Sequence, residues 1–159
     1  ADYVPLPDDP TDFAREQFDG LRHGSGKANV FDIGNEMKSI MFDDVGVFRT
    51  EKGMEAALAK VNELQERFKN VTVVDTGKIF NTELLNAWEM ANLLDMAEVI
   101  AASALNRKES RGGHARDDLP ERDDENWLKH SLVWKKNCKL EIGYKPVVMT
   151  RFEPKKRVY

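Results

Sequence analysis

The densest run of chemically capable side chains is Asn106-Arg107-Lys108-Glu109-Ser110-Arg111-Gly112-Gly113-His114-Ala115-Arg116-Asp117-Asp118. It continues as Leu119-Pro120-Glu121-Arg122-Asp123-Asp124-Glu125-Asn126-Trp127-Leu128-Lys129-His130. Between 107 and 125, five basic residues (Arg107, Lys108, Arg111, Arg116 and Arg122) stand among seven acids. Guanidinium groups are rigid forks that bind carboxylates through two parallel bonds. Gly112 and Gly113 permit positive backbone dihedrals or a close backbone approach. The pattern points to a clasp that fastens domains together without performing chemistry. Its candidate residues are Glu109, Ser110, Arg111, Gly112, His114, Arg116, Asp117 and Asp118.

Other chemistries fit less well. The pairs Asp117/Asp118 and Asp123/Asp124 could attract a divalent cation, but neither follows a calcium-loop spacing, and salt bridges to nearby arginines are the expected use. Glu109 and Asp117 cannot be made a general acid and base from chain separation alone. His23, His114 and His130 are far apart and Cys138 is the single cysteine, so no zinc or haem pattern is expected. Gly24-Ser25-Gly26-Lys27 lacks the spacing of a phosphate loop, and Ala28 stands where a metal-binding hydroxyl would be. It is expected to be a flexible turn. No catalytic, cofactor-binding or metal-binding residue is assigned.

Three helices must position the clasp. The first, about 32–44, starts at Asp32 and places Ile33, Met37, Ile40 and Met41 on one side. The second, about 50–69, follows Thr50, and Met54, Val61 and Phe68 recur every seven residues with Ala57 and Leu64 between them. The third, about 82–108, is capped by Asn81 or Thr82. Its seam is Leu84, Ala87, Ala91, Leu94, Ala97, Ala101 and Ala104, widened by Trp88 and Met90. Val71 to Val74 should be an extended connection returning Ile79 and Phe80 to the bundle. Leu132 and Leu140 lie in two alternating segments, 131–135 and 139–144, that should form a hairpin around Asn137. Pro146 and Pro154 argue against a long strand beyond it. The fold class is mainly α: a three-helix antiparallel bundle (spectrin-repeat-like), then a small β-hairpin and irregular C-terminal region. The expected units are a lead-in over 1–27, a bundle over 28–108, and a loop, hairpin and tail over 109–159.

Composition sets wider bounds. The 159 residues suffice for one domain with a real core, and 41% hydrophobic against 33% charged is an ordinary soluble balance. No apolar run approaches the ~20 residues needed to span a bilayer. Ala1-Asp2-Tyr3-Val4-Pro5 has neither the basic region nor the apolar core of a secretory signal. The lone Cys138 makes an internal disulfide impossible and a reducing compartment the simpler expectation. The net charge of -4 is uneven: six acids face Arg15 in residues 1–20, and nine lysines or arginines face two acids in 129–159. No nucleic-acid module is recognisable in that basic tail, and a protein-facing or solvated surface is expected.

Several segments in order resemble the C-terminal domain of the flavoprotein subunit of succinate dehydrogenase and fumarate reductase. They are Val45-Gly46-Val47-Phe48-Arg49-Thr50, Ile79-Phe80-Asn81-Thr82-Glu83-Leu84, the Lys108–Asp118 loop, Trp127–His130, Gly143-Tyr144-Lys145-Pro146 and Arg151–Tyr159. The resemblance implies a parent enzyme that interconverts succinate and fumarate with FAD. It implies flavin-binding and capping domains as neighbours, and an iron–sulfur subunit and membrane anchors as indirect partners. It also implies a peripheral position on a membrane complex, on the cytoplasmic or matrix side. FAD belongs to the parent, and none of the family's flavin-binding or substrate-binding motifs matches a stretch of this chain, so the chain alone is expected to be inactive. The 107–125 loop is then an interdomain scaffold or a direct influence on flavin-site architecture. An autonomous helical interaction module and a fragment of an aspartate oxidase-type enzyme are the alternatives. Asp117 to Asp124 favours the succinate/fumarate branch.

Overall fold

The computed structural model describes residues 3–137 and 139–155, so the expectation for Cys138 and for the end of the basic tail lies outside the described residues. Among the described residues the chain is mainly α-helical, with two small β-sheets. In order the elements are α1 (Asp12–Arg22), α2 (Val30–Val45), β1 (Phe48–Arg49), α3 (Glu51–Phe68), α4 (Thr82–Asn106), β2 (Ala115–Arg116), α5 (Asp124–Trp127), β3 (Lys129–Lys136) and β4 (Lys139–Pro146). Among the described residues, no helix is long and apolar enough to cross a membrane.

Side-chain caps fix where the three long helices begin. Asn29 accepts from the Phe31 N–H at 2.7 Å, Thr50 from Gly53 N–H at 3.1 Å, and Asn81 from Leu84 N–H at 2.8 Å. Asn29, not Asp32, starts α2, because Asn29 holds the extended backbone a cap needs (φ -92°, ψ 128°). Asp32 falls in the first turn, where an acid still favours the positive end of the helix. The helices pack on one another through the expected seams, although Phe68 and Ala91 are only half-buried. Met54, Ala57, Val61 and Leu64 of α3 are buried, as are Leu84, Ala87, Met90, Leu94, Ala97, Ala101 and Ala104 of α4. Each fully buried large apolar side chain is worth ~1.5–3 kcal/mol. Alanines at 57, 101 and 104 form a separate small cluster with Val45 and Met54. Their short side chains let the helix ends approach closely.

The lead-in helix α1 buries no residue of its own. It lies against α4, where Phe18 meets Trp88 with ring centroids 4.8 Å apart and Gln17 accepts from the Trp88 indole N–H at 3.4 Å. The hairpin β3–β4 is antiparallel, with Lys129 opposite Pro146 and Lys136 opposite Lys139. Asn137 takes the left-handed turn position (φ 50°), which asparagine tolerates better than most residues. The Lys135 ammonium ties the hairpin to α4 by donating to Asp95 and to the buried Glu98, each at 2.7 Å.

Three further expectations change. Ile79 and Phe80 do not return to the bundle; they are 82% and 95% exposed. Polar contacts hold that loop instead, since the Asn81 amide donates to the carbonyls of Asp75 and Gly77. Val71 and Val73 are the residues that reach the core, and Val71 bridges Ala28. The Gly24–Gly26 turn serves close packing rather than flexibility: a Cβ on Gly26 would lie 1.8 Å from the Asn70 carbonyl oxygen. Helix α4 stops at Asn106 rather than 108, because Arg107 leaves helical geometry (ψ 113°) and turns its carbonyl to the loop.

The two glycines at the ends of this packing should behave oppositely. Gly26→Ala forces backbone against backbone and should cost about 1–3 kcal/mol, the usual toll of overpacking. Gly20→Ala, in α1 with nothing within 4 Å of its added carbon, should stabilise by up to about 1 kcal/mol through helix propensity. Urea unfolding of both variants reads the difference directly.

Candidate functional site

The loop after α4 is organised by pairing across the chain. Phe48 and Arg49 of β1 pair in parallel with Ala115 and Arg116 of β2. The Ala115 N–H donates to Val47 at 3.1 Å and the Asp117 N–H to Arg49 at 2.9 Å. This brings residues before α3 beside the loop that follows α4. Within the loop, Arg111 and His114 exchange backbone hydrogen bonds of 2.8 and 3.1 Å around a tight turn. Gly112 sits there at φ 60°, a conformation that glycine adopts without penalty. Ser110 closes the loop's interior: its hydroxyl donates to the Leu119 carbonyl at 2.8 Å and accepts from the Arg116 N–H at 2.7 Å.

Two charged centres lie inside. Glu109 is fully buried. One of its oxygens accepts from Arg107 at 2.5 Å and Arg111 Nε at 2.7 Å. The other accepts from Arg111 Nη2 at 3.0 Å and the Asp123 N–H at 2.9 Å. Burial pushes its pKa upward, but the donors Arg111, Asp123 and Arg107 together outweigh that and hold it below the ordinary carboxylate value. Arg116 is the second centre, 1% exposed, and forks onto Asp118 at 2.6 and 2.8 Å while its third nitrogen donates to the Arg107 carbonyl. The Arg116 bonds hold the Asp118 carboxyl far below its usual range, with help from the Glu51 N–H at 2.9 Å. Asp124 joins the two arginines Arg111 and Arg122.

His114 bridges these centres to β1. A guanidinium can only donate, so the 2.6 Å contact from Arg49 Nη1 makes Nδ1 of His114 an acceptor. Its other nitrogen then carries the proton and faces the Arg107 carbonyl at 3.3 Å. Burial lowers the His114 pKa, and the positive charges of Arg49, Arg116 and Arg107 lower it further.

The structure therefore brings together Glu109, Ser110, Arg111, Gly112, His114, Arg116 and Asp118. Asp117 does not join them: it is exposed and contributes only its backbone N–H. The acidic pairs split the same way. Asp118 and Asp124 bind arginines, while Asp123 caps α5 by accepting from Asn126 N–H at 3.0 Å. Sequence reasoning missed Arg49, whose one local signal was a charge set between apolar Val47-Phe48 and the Thr50 cap.

Flavin binding calls for unsatisfied donors and an open backbone cradle, and the buried Glu109 and Arg116, whose polar atoms are spent within the loop, do not offer them. The Gly112–Gly113 turn is closed by the Arg111–His114 pair, and both His114 nitrogens are engaged. Among the described residues, every buried side-chain nitrogen and oxygen has a partner.

Comparison with known proteins adds the context. Residues 34–159 match the family described as fumarate reductase flavoprotein C-term. The chain is 41% identical to the fumarate reductase flavoprotein subunit of Haemophilus influenzae, over 90% of this chain and 24% of that protein. It is 36% identical to the succinate dehydrogenase flavoprotein subunit of Rickettsia bellii, over 99% of this chain and 28% of that protein. The fold superimposes on an E. coli quinol fumarate reductase chain with a TM-score of 0.87 at 39% identity, covering 92% of this chain and 26% of the other. The adenylylsulfate reductase of Archaeoglobus fulgidus, at 24% identity and a TM-score of 0.68, shares the fold. This chain thus spans about a quarter of the length of the relatives it matches.

Two tests probe the clasp. Glu109→Gln leaves two arginines short of a buried counter-charge and should cost about 3–5 kcal/mol in a denaturant titration. His114 supplies a pH signature. Because its folded pKa is depressed, the unfolded chain binds the proton first, so stability should fall as pH drops through about 6.5 and continue falling towards the folded pKa. Unfolding midpoints between pH 8 and 5 should show this slope, and His114→Gln should flatten it.

Proposed function

Since this chain belongs to the family of fumarate reductase flavoprotein C-terminal domains, we propose that it braces the flavin-bearing part of a succinate dehydrogenase or fumarate reductase flavoprotein. The observation that carries the reading is the buried clasp around Glu109 and Arg116. Its charged groups are held firmly in their charged forms: Glu109 and Asp118 are shifted down, and Arg111 and Arg116 are shifted up by their partners Glu109 and Asp118. Groups fixed this way fasten backbone segments; they do not trade protons near neutral pH.

In this reading the parent protein oxidises succinate to fumarate or runs the reverse reaction. FAD supplies the redox chemistry and is held by domains outside this chain. The helices α2, α3 and α4 act as a three-helix antiparallel platform, and residues 109–159 fasten it to the flavin-binding and capping domains. An iron–sulfur subunit and membrane anchors are reached through those domains, which places the assembly peripherally on the cytoplasmic or matrix face of a membrane.

The mass of the native polypeptide, captured with an antibody against this sequence, separates the readings. A larger flavin-containing chain is expected; a mass equal to these residues alone would point to an independent helical module. Titrating the 159-residue chain with FAD should give no saturable quenching of flavin fluorescence, and succinate should not reduce an acceptor dye in its presence. Specific flavin binding or turnover would overturn the brace as its sole role.

A further inference from the structure

Beside the clasp, a cleft of about 590 Å³ opens between α4, β1 and the start of β3. Arg49, Arg107, His114, Trp127, Lys129 and Ile100 define its character, and no carboxylate lines it among the described residues. Arg107 and Arg111 have their charges answered from behind by Glu109 and Asp124. Arg49 and Lys129 do not. Arg49 spends one N–H on the Gly46 carbonyl at 2.6 Å and one on the neutral His114 ring, leaving three of its five donors. The Lys129 ammonium lies 3.9 Å from the Tyr144 ring centroid and 4.7 Å from that of Trp127. Aromatic faces orient a cation without neutralising it. Both cations are set by Arg107: its carbonyl faces His114, which holds Arg49, and its guanidinium donates to the Lys129 carbonyl at 2.6 Å.

We propose that this cleft is a docking pocket for an aspartate or glutamate side chain from the flavin-bearing part of the flavoprotein, held between Arg49 and Lys129. The proposal rests on the reading above that such a part is joined to this chain. Charge complementarity selects a carboxylate, since two uncompensated cations stand in a cleft without an acid. A protein source is selected by the wall. Ile100 continues an apolar row along α4, with Leu93, Met96 and Ile100 exposed by 46%, 54% and 44%. A docked chain segment would cover that row, whereas a free small carboxylate would leave it in water.

Zero-length carbodiimide coupling tests the pocket in the native flavoprotein, because it joins an amine only to a carboxylate already in contact. Peptide mass spectrometry is expected to find Lys129 coupled to an Asp or Glu outside residues 1–159. Arg49→Met should lower that coupling by about tenfold or more, the value of one charged hydrogen bond. Coupling of Lys129 only to carboxylates within residues 1–159, in a preparation that carries flavin, would overturn the pocket while the brace stands. A native protein without flavin or residues beyond this chain would overturn the reading on which the pocket rests. The wild-type coupling decides the matter even if Arg49→Met does not fold.

Discussion

A carboxylate sealed from water is the constraint around which the second half of this chain is arranged. Removing an ion from solvent costs several kcal/mol even after relaxation, and the loss is recovered only by well-placed donors. Glu109 has four such contacts: one from Arg107, two from Arg111 and one from the Asp123 backbone. Those donors are themselves committed elsewhere. Arg107 also donates to the carbonyls of Trp127 and Lys129, and Arg111 reaches Asp124. Satisfying one buried charge thus places the end of α4, the start of α5 and the start of β3 relative to one another.

The division between closed and open charge gives the site its character. Arg116 and Asp118 face each other, and Glu109 is enclosed by its own arginines, so that side of the loop is complete in itself. Arg49 and Lys129 lie on the other side with donors to spare. An inert fastening and a receptive edge are therefore built from the same residue types, distinguished only by whether the chain supplies their counter-charges.

Local pattern made much of this legible, and non-local pairing hid the rest. Seven-residue spacing exposed α3 and α4, and side-chain caps exposed their starts, because helix geometry is written within a few residues. The hairpin was readable from alternation and Asn137. The β1–β2 pair was not, because two residues cannot show a period and the partner lies far along the chain. Sequence alone groups Asp117 with Asp118, because it assigns neither a face. In extended chain, neighbours point to opposite sides, so Arg116 turns inward and Asp117 outward. Ile79 and Phe80 escape the pattern for a related reason: apolarity says what a side chain gains by burial, while here the loop's hydrogen bonds dictate where the backbone goes.

The contact between the Glu51 N–H and Asp118 joins residues 67 positions apart, with α3 and α4 lying between them. Closing so long an interval carries an entropic cost that helix formation does not share. The order of events in folding follows: α3 and α4 acquire their shape from nearby contacts, and the β1–β2 junction forms once they have come together. Within the clasp that junction is the long-range part, while the Glu109 bonds reach no further than Asp123, 14 residues away. A newly made chain therefore gains its helices from nearby contacts before the junction that joins residues on either side of them.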